Sequence, residues 1–221
     1  MLSLIVPAYD AEATLGRTLQ NMRSGVDEIV VADGGSRDGT AAIAERHGAR
    51  VVVAKPGRGG QLRAGAEAAR GDILLFLHAD TMLGQGWSDA VAGFVANPAS
   101  RDRAAYFRFA LDDADPRARR VERWVARRCR LFGLPFGDQG LLIRRAFYDR
   151  LGGFADLPLM EDVDFVRRIG KSRLVPLDVP AVTSAARYRR DGWVARPLRN
   201  ILCLSGYFLG VPPNVLRRFY G

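Results

Sequence analysis

Two short clusters of ionisable residues could carry chemistry in this chain. The first is His78-Ala79-Asp80, which follows the apolar run at residues 73–77. An imidazole and a carboxylate delivered by the end of a strand buried on both faces can ligate a divalent cation; the plainer use of Asp80 is to cap the following turn. The second is Met160-Glu161-Asp162-Val163-Asp164. Its carboxylates could take a proton from a hydroxyl, or could cap a helix with Val163, Val166 and Ile169 facing the core and Asp164 paired with Arg168. Before these clusters come Asp10, Asp33, Lys55 and Arg58. Carboxylates can accept from a base or ribose or hold a metal, whereas Lys, Arg and backbone amides meet phosphate.

Those residues need elements to position them. Residues 2–6 form an apolar β-type run stopped by Pro7, and Asp10 can cap a helix over residues 11–22. Strands over residues 29–32, 50–54 and 73–77 follow, separated by helices over 40–47 and 61–70. This recurrence calls for a parallel, doubly wound sheet with right-handed crossovers, so the loops after successive strands gather on one edge. Asp33 ends the second strand before two glycines, and Lys55 and Arg58 lie in a glycine-rich loop after the third. That loop lacks both the Gly-Lys-Ser/Thr ending of a Walker A motif and Gly-x-Gly-x-x-Gly spacing, which excludes the simplest P-loop and dinucleotide-binding readings.

Beyond Asp80 the pattern predicts a helix over 86–97, a strand over 104–111, a basic helix over 115–132 and a strand over 141–143. In the basic helix Val121, Trp124, Val125 and Leu131 make an apolar stripe among seven arginines. Asp138 and Gln139, in Phe136-Gly137-Asp138-Gln139-Gly140, can contact a substrate or simply make a turn. From Val182 onward come Arg187-Tyr188-Arg189-Arg190 and a nearly continuous apolar segment flanked by Arg196, Arg199, Arg217 and Arg218. Such a tail suits packing on the domain, a second subunit or an anionic membrane surface.

Lys and Arg outnumber Asp and Glu by 33 to 24, a formal charge of +9 that favours an anionic partner. Only Cys129 and Cys203 are present, too few for a disulfide framework or a thiolate metal cage, so a cytoplasmic location is expected. The first residues resemble no signal peptide, and no apolar run reaches membrane-spanning length.

Ser3-Leu4-Ile5-Val6-Pro7-Ala8-Tyr9, then Glu28 through Asp33-Gly34-Gly35-Ser36-Arg37-Asp38-Gly39-Thr40, then Phe76-Leu77-His78-Ala79-Asp80 resemble the successive motifs of family 2 glycosyltransferases. The short form with His-Ala-Asp-Thr is similar to the subfamily labelled after arsenosugar biosynthesis. The resemblance implies a GT-A-like, Rossmann-type, doubly wound α/β fold: a mixed, mostly parallel sheet with helices on both faces. It implies one domain, with a nucleotide-sugar half (residues 1–98), an acceptor half (99–190) and a helical tail (191–221). The implied activity is transfer of a sugar, a hexose above all, from a nucleoside diphosphate to a hydroxyl acceptor. Pro7, Ala8, Tyr9, Asp10, Asp33, Lys55, Arg58, Ala79 and Arg187 would bind the donor, and Asp138 and Gln139 the acceptor.

In that resemblance Asp80 is the last residue of the Asp-x-Asp signature and holds Mn²⁺ or Mg²⁺, while His78 replaces the first Asp; imidazole favours Mn²⁺. Asp162, with Glu161 beside it, would be the general base of an inverting transfer. The acceptor would be unidentified or lipid-linked, with contact at the inner face of the membrane and homo-oligomerisation as further expectations. A sugar nucleotidyltransferase is the enzymatic alternative. Nucleic acid is not the expected partner, and a basic nucleic-acid-binding protein is the non-enzymatic alternative.

Overall fold

A computed structural model of the chain describes residues 1–220. It opens with β1 (Leu2–Ala8), α1 (Glu12–Met22), β2 (Glu28–Asp33), α2 (Thr40–Arg46), β3 (Arg50–Val53), α3 (Arg58–Ala68) and β4 (Ile73–Phe76). These are the expected strand–helix repeats, and the four strands pair in parallel in the order β3-β2-β1-β4. Alternate residues of β1 feed two cores. Leu4 and Val6 pack with Leu15, Leu19 and Met22, whereas Ile5 packs with Leu62, Ala66 and Leu74. Helices cover both faces, which is why β1, β2 and β4 are largely apolar and buried, while the edge strand β3 is more exposed.

The second half carries β5 (Thr81–Leu83), α4 (Trp87–Ala96), β6 (Ala104–Leu111), α5 (Pro116–Phe132), β7 (Leu141–Arg144), α6 (Arg145–Arg150), α7 (Glu161–Ile169) and β8 (Leu174–Thr183). One eight-stranded sheet results, ordered β3-β2-β1-β4-β7-β6-β8-β5. β7 is antiparallel to β4 and β6, and β5 to β8, while β6 and β8 are parallel. The sheet is therefore mixed and mostly parallel. β8 is hard to read from sequence because Pro176 and Pro180 interrupt it; a register shift opposite Phe107 and Arg108 accommodates them.

Several local expectations give way. Pro7 does not stop β1, because pairing to β4 has ended by Ile5 and a missing N–H breaks no ladder there. Asp10 does not cap α1: it adopts φ 46°, and Ala11 occupies the cap position without a side-chain bond. The first donors of α1 are met instead from the loop after β2, where Thr40 Oγ1 accepts from Ala11 at 2.8 Å and Asp38 Oδ2 from Glu12 at 3.0 Å. α3 begins at Arg58, so Gly59 and Gly60 are helical rather than loop residues. In α5 the buried stripe is Ala118, Val121, Val125 and Cys129, with Trp124 and Leu131 turned outward.

The tail folds into α8 (Ala186–Asp191), α9 (Ala195–Phe208) and α10 (Pro213–Tyr220). Cys203 and Leu216 anchor it against Leu134, Leu159, Met160 and Val163. The last residue of the expected tail, Gly221, lies outside the described residues. No helix among the described residues is long and apolar enough to cross a membrane.

Candidate active site

The registers Ala8 to Asp33 and Asp33 to Val53 bring the ends of β1, β2 and β3 level, and Leu77 N–H donates to Ile5 O at 3.0 Å. Residues 78–80 consequently emerge beside Pro7 and Ala8, at the carboxyl edge where open sheets bind ligands. A cleft of about 710 Å³ opens there, lined by Pro7, Ala8, Tyr9, Asp10, Arg58, His78, Ala79, Asp80 and Arg187. Gln61 of α3 stiffens its wall, since Nε2 donates to Ala8 O at 2.6 Å and to Ala32 O at 3.0 Å.

Asp80 sits at the junction of two strands. Its Oδ1 lies 3.4 Å from the hydroxyls of Thr81 and Thr183, which are themselves 3.2 Å apart across the β5–β8 pair. That pairing delivers Ser184 and Arg187 to the same edge. His78 projects against Gly137, where an added Cβ would lie 2.5 Å from Nε2, and Nε2 is buried without a hydrogen-bond partner. Burial, with Arg58 and Arg187 nearby, pushes the imidazole well below its ordinary value and keeps it neutral, the form that ligates metal. Among the described residues no three His, Cys, Asp or Glu side chains converge on one point. The donor set thus fits a cation shared with substrate phosphates rather than a closed protein cage.

The opposite wall starts at Met160, a non-glycine residue at φ 66° that packs in the core beneath the tail. Such a conformation costs about 1–2 kcal/mol, and here it directs the first turn of α7 into the site. Asp162 enters a cavity of about 70 Å³ shared with His78, Asp80, Asp138 and Arg187. Two backbone amides orient its carboxylate: Gly137 N–H donates to Oδ2 at 2.8 Å and Val163 N–H to Oδ1 at 2.7 Å. Asp138 has a buried Oδ1 without a partner. Burial raises its carboxyl to about 6, with Arg128 opposing the rise and Asp162 and Asp80 adding to it.

Glu161 is buried behind Asp162, 3.4 Å from Arg58. Burial pushes this carboxyl up although Arg58 pulls it down, because the contact is long and Oε2 has no partner at all. Arg58 stays charged, since the surrounding carboxylates outweigh its own burial.

The model of the family described as "Glycosyl transferase family 2" matches residues 3–134. The chain belongs to that family. A glucosyl-3-phosphoglycerate synthase of Mycolicibacterium paratuberculosis is 36% identical over 92 residues, covering 36% of this chain and 28% of that protein. An uncharacterised glycosyltransferase of Mycobacterium tuberculosis is 36% identical over 86 residues, covering 38% of this chain and 39% of its own length. The matched stretch thus spans well under half of these curated relatives.

Among solved structures, a glucosyl-3-phosphoglycerate synthase from Mycobacterium tuberculosis with Mn²⁺, uridine diphosphate and phosphoglyceric acid has a TM-score of 0.65 at 19% identity, covering 96% of this chain and 79% of that one. Mannosyl-3-phosphoglycerate synthase from Rubrobacter xylanophilus has a TM-score of 0.63 at 19% identity, covering 95% and 75%. The shared fold is that of GT-A glycosyltransferases.

Three expected site residues are not among those lining the cleft or the small cavity. Asp33 is buried and spends its carboxylate on its own loop, accepting from Gly35 N–H at 3.2 Å and from the amide and hydroxyl of Ser36. Lys55 is exposed and outside the cleft wall. Gln139 is buried, donates to Phe107 O at 3.1 Å and accepts from Phe136 N–H at 3.3 Å, so its amide braces the loop after α5. Conversely, Gln61, Asn200 and Tyr220 line the cavities although nothing in their spacing marks them. The only signal for Asn200 is a polar residue breaking the apolar run of the tail.

Proposed function

We propose that this glycosyltransferase transfers a hexosyl group from a nucleoside diphosphate sugar to a hydroxyl acceptor, with inversion and with a divalent cation. The observation that carries the reading is that Asp80 and Asp162, from opposite halves of the sequence, line one small cavity opening beside the larger cleft. Residues 1–98 would hold the donor, with Pro7, Ala8, Tyr9, Asp10, Arg58 and Ala79 along its wall, and residues 99–190 the acceptor. The mycobacterial neighbour solved with Mn²⁺ and uridine diphosphate supports this assignment and makes uridine diphosphate sugars the first donors to try.

Asp80, assisted by His78, would hold the cation, and the imidazole favours Mn²⁺ over Mg²⁺. A bound cation would offset charge on the leaving diphosphate. Asp162 takes the proton of the acceptor hydroxyl as that oxygen attacks the anomeric carbon from the face opposite the diphosphate. Its amide bonds from Gly137 and Val163 fix the carboxylate without a side-chain partner. Arg187, exposed at the cleft and without an ion pair among the described residues, stays beside the departing diphosphate.

The short His78-Ala79-Asp80-Thr81 form supports the arsenosugar-labelled subfamily as part of this proposal. The site of action would be the cytoplasmic face of a membrane. Residues 192–221 contain no Asp or Glu, and Leu198 and Leu202 of α9 and Leu209 just after it are exposed, which complements an anionic bilayer. A lipid-linked acceptor fits that placement. One relative, a Pseudomonas aeruginosa undecaprenyl-phosphate 4-deoxy-4-formamido-L-arabinose transferase, is 35% identical over 94 residues, covering 36% of this chain and 28% of that protein.

Thermal-shift titration with nucleoside diphosphates and their sugars, with and without Mn²⁺ or Mg²⁺, tests the donor site. Metal-enhanced stabilisation that disappears in Asp80→Ala is expected. A wild-type protein indifferent to every nucleotide would sink the proposal.

A further inference from the structure

The C-terminal helices lie beyond the part of the chain that the family model matches, yet they close the cavity into which Asp162 projects. Its roof is Arg187 and Tyr188 of α8, Arg196 and Asn200 of α9 and Tyr220 of α10. Five buried side-chain polar atoms among the described residues lack a partner, and three of them, His78 Nε2, Asp138 Oδ1 and Asn200 Oδ1, belong to residues lining this one cavity. Buried polar atoms are normally satisfied, so three around one space point to a polar occupant.

The charges are also divided. Asp80, Asp138 and Asp162 lie on the sheet side, whereas Arg187 and Arg196 come from the tail, with Arg190 and Arg217 at the wider mouth. Arg58 is matched by Glu161, and within the tail Asp191 alone faces Arg190, Arg196 and Arg199. A cation at Asp80, together with Arg187, would offset the donor diphosphate, leaving Arg190, Arg196 and Arg217 for a second anion. Arg196 is 3% exposed, lies 4.3 Å from the centre of the Tyr220 ring, and touches Asp191 at 3.2 Å and Tyr220 O at 3.4 Å through Nη1, so among the described residues the rest of its guanidinium has no hydrogen-bond acceptor.

We infer that α8 to α10 form the acceptor subsite, in which Asn200 and Asp138 bind acceptor hydroxyls and Arg196, with Arg190 and Arg217 at the mouth, binds an anionic group carried by the same molecule. The acceptor class is thus a hydroxyl compound bearing a phosphate or carboxylate, either free in solution or as a lipid headgroup. This deepens the glycosyl-transfer reading and rests on it.

Release of nucleoside diphosphate from a donor sugar would be measured with glycerol, glycerate, glycerol 3-phosphate and phosphatidylglycerol vesicles as acceptor probes. An anionic probe should exceed glycerol by about tenfold in kcat/KM, with the gap narrowing in salt. The vesicle arm separates a lipid headgroup from the free compounds. Asn200→Ala should raise the KM for the preferred probe about tenfold with donor KM unchanged, and Asn200→Asp should do so more strongly by opposing the anion. Equal use of glycerol, no response to any anionic probe, or an unchanged acceptor KM in both variants would overturn the inference while donor binding persists. Loss of donor binding by the wild type would instead remove the glycosyl-transfer reading itself.

Discussion

Arg58 and Glu161, separated by 103 positions in the chain, meet at 3.4 Å with Glu161 only 1% exposed. The contact ties the first turn of α3, on the nucleotide side, to the first turn of α7, where Asp162 sits. It also makes stability depend on pH. The folded state raises the Glu161 carboxyl above its ordinary 4.5, so it binds that proton more tightly than the unfolded chain does. Stability contributed there is present at low pH and lost as pH rises from about 4.5 through the raised value. Glu161→Gln should flatten that slope. Arg58→Ala, which leaves the buried carboxylate unopposed, should cost about 2 kcal/mol more at pH 8 than at pH 5. Urea unfolding across pH 4.5 to 8.5 measures both, and parallel wild-type and Glu161→Gln curves would refute the coupling.

Asp138 gives a second, lower window. Its carboxyl rises from 3.8 to about 6 in the folded protein, again because burial penalises the charge. The folded state holds the extra proton, so stability falls between about pH 4 and pH 6 and is level above that range. Asp138→Asn should remove this segment of the profile while preserving the Glu161 segment, as the same unfolding series would reveal.

Asp162→Asn keeps the shape and one of the two backbone amide contacts while removing the base. Donor affinity should be unchanged and turnover should fall by about 10² to 10⁴, the usual worth of general base catalysis. Isothermal titration with a nucleoside diphosphate sugar and single-turnover kinetics separate these two quantities. Normal turnover would exclude Asp162 as base.

Gly59 tests how the donor wall is built. Its N–H donates to Leu157 O at 3.1 Å, and an added Cβ would lie 2.2 Å from the backbone oxygen of Ala155. Gly59→Ala must therefore push away the loop that leads to Met160 and Asp162. A loss of about 1–3 kcal/mol is expected, together with lower kcat, because both walls of the site share this contact. Thermal melts and kinetics on the purified variant decide it; a neutral outcome would mean that the loop moves freely.

The strength of the sequence signal tracks how local the cause is. β1, β2 and β4 are legible because each is a largely buried apolar run, and β1 fills both cores with alternate residues. Asp80 and Asp162 stand at element ends, where capping and chemistry look alike in sequence, and only the fold brings them to one cavity. Asp33 and Gln139 stand at turns too: Asp33 bonds within its own loop, to Gly35 and Ser36, whereas Gln139 bonds to Phe107 O, a partner 32 positions away that spacing does not announce. β8 is obscured by two prolines whose tolerance depends on a register shift in its partner. Trp124 looks like a core residue by its type, yet α5 turns it outward at 66% exposure. Asn200 reaches the site only because the tail folds back over it, a long-range packing event anchored by Cys203 and Leu216.

The exposed face of the tail supplies the last prediction. Val194, Leu198, Leu202 and Leu209 are 79%, 52%, 62% and 84% exposed; Leu198 and Leu202 are one turn apart on α9, and Val194 and Leu209 flank its two ends. Exposed apolar area of this kind is unfavourable in water by roughly 25 cal/mol per Å², and a bilayer interface removes it. Arg217 and Arg218 on α10 add attraction to anionic headgroups. Sedimentation with phosphatidylserine vesicles should therefore retain the wild type at low salt, less at 0.5 M salt, and should fail for Leu202→Glu and Leu209→Glu. Neither change touches the anchoring Cys203 or Leu216 side, so thermal stability should stay within about 0.5 kcal/mol of wild type. Equal binding to neutral vesicles, or concentration-dependent dimerisation that the same substitutions abolish, would assign this face to something other than an anionic membrane.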